Sequence, residues 1–204
     1  PAYNSAGTSG PMSNDVRDSA ILNQALSGFD ARDPGSVKAP VPDYLASLEE
    51  GVAGMRIGTT MTLGISDVND DVAEMVEASW SAFSELGARI KPLDIEFDPI
   101  PKDAWWTLWT AGQVAMYGYL ADERPEDLMP YTLEMIEHGR TLTGADVAVA
   151  LRNVQNLQLK LHLLFEEFDL VLAPTNAAVA WPHLQPPEEI GSSPNDDAMA
   201  GINY

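Results

Sequence analysis

Hydrolytic or transfer chemistry needs a nucleophile held beside a base, or a metal held by clustered imidazoles and carboxylates. This sequence offers little of either. Its histidines are His138, His162 and His183, and none has a second ligand type at metal spacing. His138 falls in the last turn of an expected helix, where a basic group suits the dipole, and His162 falls mid-helix, so both read as structural. No H-E-x-x-H, EF-hand loop or phosphate-binding glycine loop occurs, and neither a metal nor a cofactor is expected. The absence of cysteine removes disulfides, thiolate metal sites and a thiol nucleophile. Gly7-Thr8-Ser9-Gly10 lacks the G-x-S-x-G pattern and its strand–turn–helix setting, and Pro11 follows at once, so Ser9 reads as loop.

Two further groups could carry function. The acidic pairs Glu49-Glu50, Asp70-Asp71, Glu166-Glu167, Glu188-Glu189 and Asp196-Asp197 are sequence neighbours. Adjacent positions on a helix do not face each other, so these read as solvated charges rather than acid/base couples. Trp105 and Trp109 lie one turn apart on one helix face, with Gly112 and Met116 continuing it. Core packing is the plainer reading of that face, and an aromatic pocket wall is the alternative.

The elements that must position these residues follow from apolar spacing and breakers. After a loop over residues 1–12, Ser13 or Asn14 caps a helix with Asp15 and Asp18 in its first turn. Its apolar face is Ile21, Leu22, Ala25 and Leu26, and Gly28 is its stop. An ordered crossing from Phe29 to Pro42 leads to a short helix around Tyr44, Leu45 and Leu48 that ends before Gly51. Residues 55–61 read as a strand, and 67–86 as an amphipathic helix carrying Val72, Met75, Val76, Ser79, Phe83 and Leu86. Residues 88–95 form a second strand, so the unit is βαβ with a parallel pair and a right-handed crossover. Three helices follow: 102–120, 126–138 closed by Gly139, and 143–168 capped by Thr143. The last has a core stripe of Val147, Leu151, Val154, Leu157, Leu161, Leu164 and Phe168. Residues 169–174 read as a short, fully buried strand, and the prolines at 182, 186, 187 and 194 predict irregular chain beyond it. The three strands are expected in one sheet, with helices 67–86 and 143–168 packed on it.

With 204 residues, 45% of them apolar and 21% charged, the chain can bury a real core. Its net charge of −20 disfavours nucleic acid and anionic lipid as partners and is read as serving solubility or a high-salt habitat. No apolar run reaches the length of a bilayer span and no signal pattern opens the chain, so a cytoplasmic protein without a membrane partner is expected. The start at Pro1 without an initiator methionine, and the stop at Gly201-Ile202-Asn203-Tyr204, suggest a segment of a longer polypeptide.

Four phrases in order resemble the amidase signature family. Gly10-Pro11-Met12 with Val16-Arg17-Asp18 is similar to the family's Gly-Pro-Met phrase and its Val-x-Asp helix start. Gly28-Phe29-Asp30-Ala31-Arg32-Asp33-Pro34 resembles the phrase that closes that helix, and Gly54-Met55-Arg56-Ile57-Gly58 resembles the next strand. Gly139 with Leu142-Thr143, the long helix and Asp169-Leu170-Val171-Leu172-Ala173-Pro174-Thr175 resembles the later family segment.

The resemblance implies an α/β fold, part of an α/β/α domain built on a mixed sheet with helices on both faces. Residues 1–54 would be its helix and crossing loop, 55–96 its βαβ unit, 97–168 a helical region and 169–204 a strand and tail. It implies hydrolysis of a carboxamide to acid and ammonia by a Ser–cis-Ser–Lys triad drawn from a preceding glycine/serine-rich core. Lys38, Lys91, Lys102 and Lys160 match no position of that triad and no Gly-Gly-Ser-Ser stretch occurs, so no catalytic residue is expected in this chain. The family's downstream Asn-Leu-Thr-Gly phrase is absent, and Asn14 stands where arginine is common. Glu134 falls near the position of the glutamine-binding arginine in the tRNA-dependent branch, which argues against glutamine. The expected substrate contacts are Trp105, Trp109 and Thr175, at the entrance for a small-molecule amide. The missing catalytic segment is the expected partner, and a homodimer is left open. The rival is a non-catalytic interaction or scaffold domain derived from the same fold.

Overall fold

The computed structural model describes residues 10–33, 35–65, 67–93, 95, 97–98, 101–182 and 187–194. Ser9, His183, Pro186 and the Asp196-Asp197 pair lie outside the described residues. The chain forms two compact units, Pro1–Gly51 and Val52–Tyr204.

In the first unit, helix α1 spans Val16–Leu26. Its cap is Asp15 rather than Ser13 or Asn14: a carboxylate oxygen of Asp15 accepts the Asp18 N–H at 2.9 Å. Ser13 instead donates its hydroxyl to the Asp15 carbonyl at 2.6 Å, bracing the cap from outside. A carboxylate suits this position because it both accepts the free N–H and opposes the helix dipole. Ala20 is buried, whereas Ile21, Leu22 and Leu26 of the apolar face are exposed. The crossing is tied locally by a bidentate Arg32–Asp30 pair and by the Asp30 N–H donating to the Ser36 hydroxyl at 2.9 Å. Asp43 then opens a short 3-10 turn, Ala46–Glu49, by accepting the Leu45 and Ala46 N–H groups at 3.1 Å each.

The second unit is built on three strands, β1 (Arg56–Thr59), β2 (Arg89–Pro92) and β3 (Leu170–Leu172). They form one sheet in the order β2-β1-β3, with β1 parallel to both neighbours. Ile57 pairs with Ile90 and Leu170 and is fully buried, so the core of the sheet sits at the central strand. β3 is not the fully buried strand that its apolar run predicts. It lies at an edge of the described sheet, and Leu170 is 42% exposed. Arg56 locks the start of β1 to β3: its backbone N–H donates to Asp169 at 2.8 Å and its guanidinium grips the same carboxylate at 2.6 Å. These bonds, the side-chain ones foremost, hold the Asp169 carboxyl down at about 2, against an ordinary 3.8.

Helix α2 (Asp70–Glu85) joins β1 to β2 and packs on β2. Its inward row runs Val72, Val76, Trp80 and Phe83; Met75 and Leu86 are exposed, as is Ser79. The row steps by four from Val72 to Trp80 and then by three to Phe83, so Trp80 takes the place assigned to Ser79. Helix α3 (Pro101–Glu123) packs against both α4 (Pro130–Thr141) and α5 (Gly144–Glu167). A capping box starts α5: Asp146 accepts the Thr143 N–H at 2.7 Å, and Thr143 accepts the Asp146 N–H at 3.3 Å. The α5 stripe is half-buried except that Ala150, not Leu151, is buried, and Phe168 is buried just beyond the helix. Extensive packing of α5 is with α3; its last turn meets the sheet through the Glu166 carbonyl bonded to Arg56 and Glu167 paired with Lys91.

Gly139 does not close α4. It lies inside the helix, buried, where a side chain would run into the backbone of α3: an added Cβ would overlap the Thr110 carbonyl oxygen and sit 2.7 Å from its carbon and from Val114. The glycine is there for close approach, and the helix continues through Arg140 to Thr141. Arg140 then clasps α3, donating to the Gly118 carbonyl at 3.0 Å and to Asp122 at 2.8 Å. The proline-rich region is also not wholly irregular. β4 (Glu189–Ile190) and β5 (Ser193–Pro194) pair antiparallel across Gly191, whose φ of 59° suits a tight turn. The Gly191 N–H donates to the Asn69 side chain at 2.7 Å, and the Ser192 hydroxyl to Asp67 at 2.7 Å.

Two outcomes follow. Gly139→Ala should cost roughly 3 kcal/mol or more in denaturant unfolding, beyond ordinary overpacking because the obstructing atoms are main chain. Stability relative to Asp169→Asn should also depend on pH. The folded carboxyl titrates below its unfolded value, so the advantage is fully present above pH 3.8 and disappears as pH falls through about 2. Paired unfolding curves between those limits measure it; a difference that is flat with pH would contradict the Arg56–Asp169 assignment.

Candidate functional site

A cavity of about 490 Å³ opens between α3, the turn at Pro125–Asp127 and α4. Its floor is the four-residue row of α3: Trp105, Trp109, Gln113 and Tyr117. A step of four keeps these side chains stacked along one stripe of the helix. The indoles of Trp105 and Trp109 are stacked nearly parallel, 5.7 Å between centroids and 17° between planes. Gly112 and Met116, which the three-residue step selects, do not line the cavity, and Met116 is 46% exposed.

The opposite wall comes from the turn and from α4. Leu128 and Met129 lead into the helix, where Tyr131, Thr132 and Met135 face the cavity. Pro130 at the helix start fixes the turn that aims them, since its ring presets the first helical φ. The lining is mostly apolar and aromatic, and the Gln113 amide, the Thr132 hydroxyl and the Asp127 carboxylate are among its polar groups. Asp127 pairs with Arg124 at 3.2 Å, both side chains being at least half exposed. Glu134 does not line the cavity, although Thr132 and Met135 near it do.

Trp106 points elsewhere, its ring 5.6 Å from that of His138, which gives that histidine a packing role. Thr175 is exposed in the turn after β3 and is not among the residues lining the cavity. The following turn is fastened to the start of α2 by the Asn69 N–H donating to the Ala177 carbonyl at 2.8 Å. The structure therefore groups Trp105 with Trp109 and leaves Thr175 apart. Gln113 and Tyr117 were missed because the Trp105–Trp109 face was continued with Gly112 and Met116; holding the step of four reaches them, whereas Asp127, Leu128 and Met129 carried no such signal. Among the described residues no group of three His, Asp or Glu could hold a metal ion, and no helix is long and apolar enough to cross a membrane.

A model of the family described as Amidase matches residues 1–202. The chain belongs to the amidase family. Its relatives include an amidase of Pseudomonas putida, 27% identical over 166 residues, which are 81% of this chain and 36% of that protein. An acylamidase of Rhodococcus erythropolis is 25% identical over 174 residues, 85% of this chain and 36% of the relative. Among solved structures, a bacterial aryl acylamidase of the amidase signature family superposes with a TM-score of 0.82 at 26% identity, covering 92% of this chain and 41% of that one. This amidase-family chain thus spans roughly two-fifths of the length of each of these relatives. The α/β class read from the strand–helix–strand pattern holds, with the parallel sheet order β2-β1-β3.

Proposed function

We propose that this chain is the substrate-binding portion of an amide hydrolase, lying after a catalytic core that supplies the nucleophile and base. The family match carries the reaction class: a carboxamide and water give a carboxylic acid and ammonia. The cavity supports a binding role here, because a wall of stacked indoles beside a few convergent polar groups is what a small organic ligand requires. Trp105 and Trp109 would hold the apolar part of the amide. Thr175, at the carboxyl end of β3, would line the approach from the sheet, the side on which ligands of parallel sheets bind. The neighbouring aryl acylamidase fold supports an aromatic or small acyl amide as the substrate class.

A serine is a useful nucleophile only with a base in hydrogen-bond reach and donors aimed at the oxyanion. Two of the lysines are engaged in another way: Lys91 is paired with Glu167, and Lys38 lies over the Phe29 ring at 5.7 Å. The test is a fluorophosphonate label with an ammonia-release assay, on the 204-residue chain and on the full-length protein. The full-length protein should label and turn over, and the chain alone should do neither. In the full-length protein Trp109→Ala should raise KM by roughly tenfold, about 1.4 kcal/mol, with little loss of thermal stability. A labelled, active serine within this chain would overturn the division of labour. An inert full-length protein would favour the non-catalytic interaction domain.

A further inference from the structure

We propose that the cavity between α3 and α4 selects aromatic amides free of negative charge, and favours those with a protonated amino group, with Asp127 as the discriminating side chain. This rests on the reading that the cavity holds the substrate. Its floor and far wall present four aromatic rings, Trp105, Trp109, Tyr117 and Tyr131. Flat π-systems stack on such surfaces, and cations gain further from the negative faces of the rings.

The polar lining sets the sign of the charge. Gln113 and Thr132 are neutral and can exchange hydrogen bonds with a carboxamide on either side. Among the described residues that line the cavity, Asp127 alone is formally charged, and no lysine, arginine or histidine is present. A ligand carboxylate brought here leaves water without a cationic partner and meets Asp127, so it is penalised twice. An ammonium meets a carboxylate and aromatic faces together. The Arg124 pairing does not cancel this. It is a 3.2 Å contact between side chains 60% and 50% exposed, of the kind that contributes little and yields readily to a competing cation. The net charge of −20 acts in the same direction at longer range, enriching cations near the surface and repelling anions.

The test uses the full-length protein and three probes of one shape: benzamide, para-(aminomethyl)benzamide and para-carbamoylbenzoate. KM values, which report binding while the amides turn over, are measured by ammonia release for wild type, Asp127→Asn, Asp127→Lys and Trp109→Ala, at low and moderate salt, with thermal melts to establish folding. Wild type should bind the cation about tenfold or more tightly than the anion, with benzamide between. Asp127→Asn should remove most of that preference and Asp127→Lys should reverse it, while benzamide changes least. Trp109→Ala should weaken all three together. If Trp109→Ala weakens all three but the charge order survives in both Asp127 variants, the charge selection is wrong and the binding role stands. If Trp109→Ala changes none of them, or no probe binds the wild type, the binding role itself is wrong and the inference falls with it.

Discussion

The close approach of α3 and α4 at Gly139 and Thr110 is the contact on which the cavity depends. Two helices whose facing positions carry ordinary side chains stand about 8–10 Å apart. Here an absent Cβ lets main chain meet main chain, and Val114 closes over the same point. Thr110 is fully buried there without leaving a polar atom unmet, because its hydroxyl turns back to the Trp106 carbonyl at 2.8 Å. Ile136, about one turn before Gly139 on α4, is also fully buried. Arg140 fixes the register of the pair from the other end of the contact, through the Gly118 carbonyl and Asp122. With both ends held, the indole row of α3 and the apolar row of α4 face each other across a gap rather than collapsing into a common core.

The sheet and the helical region are joined by fewer, more polar contacts. Phe168 buries its ring where α5 gives way to β3, with the Lys91 ammonium 5.6 Å above it and Glu167 paired to the same lysine. Arg56 reaches the Glu166 carbonyl and the Asp169 carboxylate on either side of that junction. One arginine at the start of the central strand therefore sets both the end of α5 and the start of β3. Ion pairs of this exposure add modestly to stability. Their geometry, two side-chain bonds and one main-chain bond onto a single carboxylate, serves register more than strength.

Much of this was legible in the sequence because it rests on local rules. The βαβ pattern gave the parallel pair, and Thr143 gave the start of α5, where the structure adds Asp146 to complete a capping box. What was not legible depends on packing between distant elements. Gly139 reads as a helix stop in sequence, where glycine more often ends helices, and only the proximity of Thr110 explains it as an interior residue. Leu170-Val171-Leu172 reads as a buried strand, since an apolar run does not say whether a neighbour lies on both sides. For the cavity, the Trp105–Trp109 pair pointed to a special face, yet the choice between a step of three and a step of four decided whether Met116 or Tyr117 belonged to it. Thr175 was joined to the tryptophans through the family resemblance, and no spacing in the chain linked them.

The most direct measurement is a crystal structure of the full-length protein, its nucleophile replaced so that the amide survives, with benzamide bound. The account predicts the ring stacked against the Trp105–Trp109 pair, within ordinary van der Waals contact of about 4 Å, and its carboxamide bonded to Gln113 or Thr132. A ring seated elsewhere, with the indoles of Trp105 and Trp109 touching only protein, would contradict it.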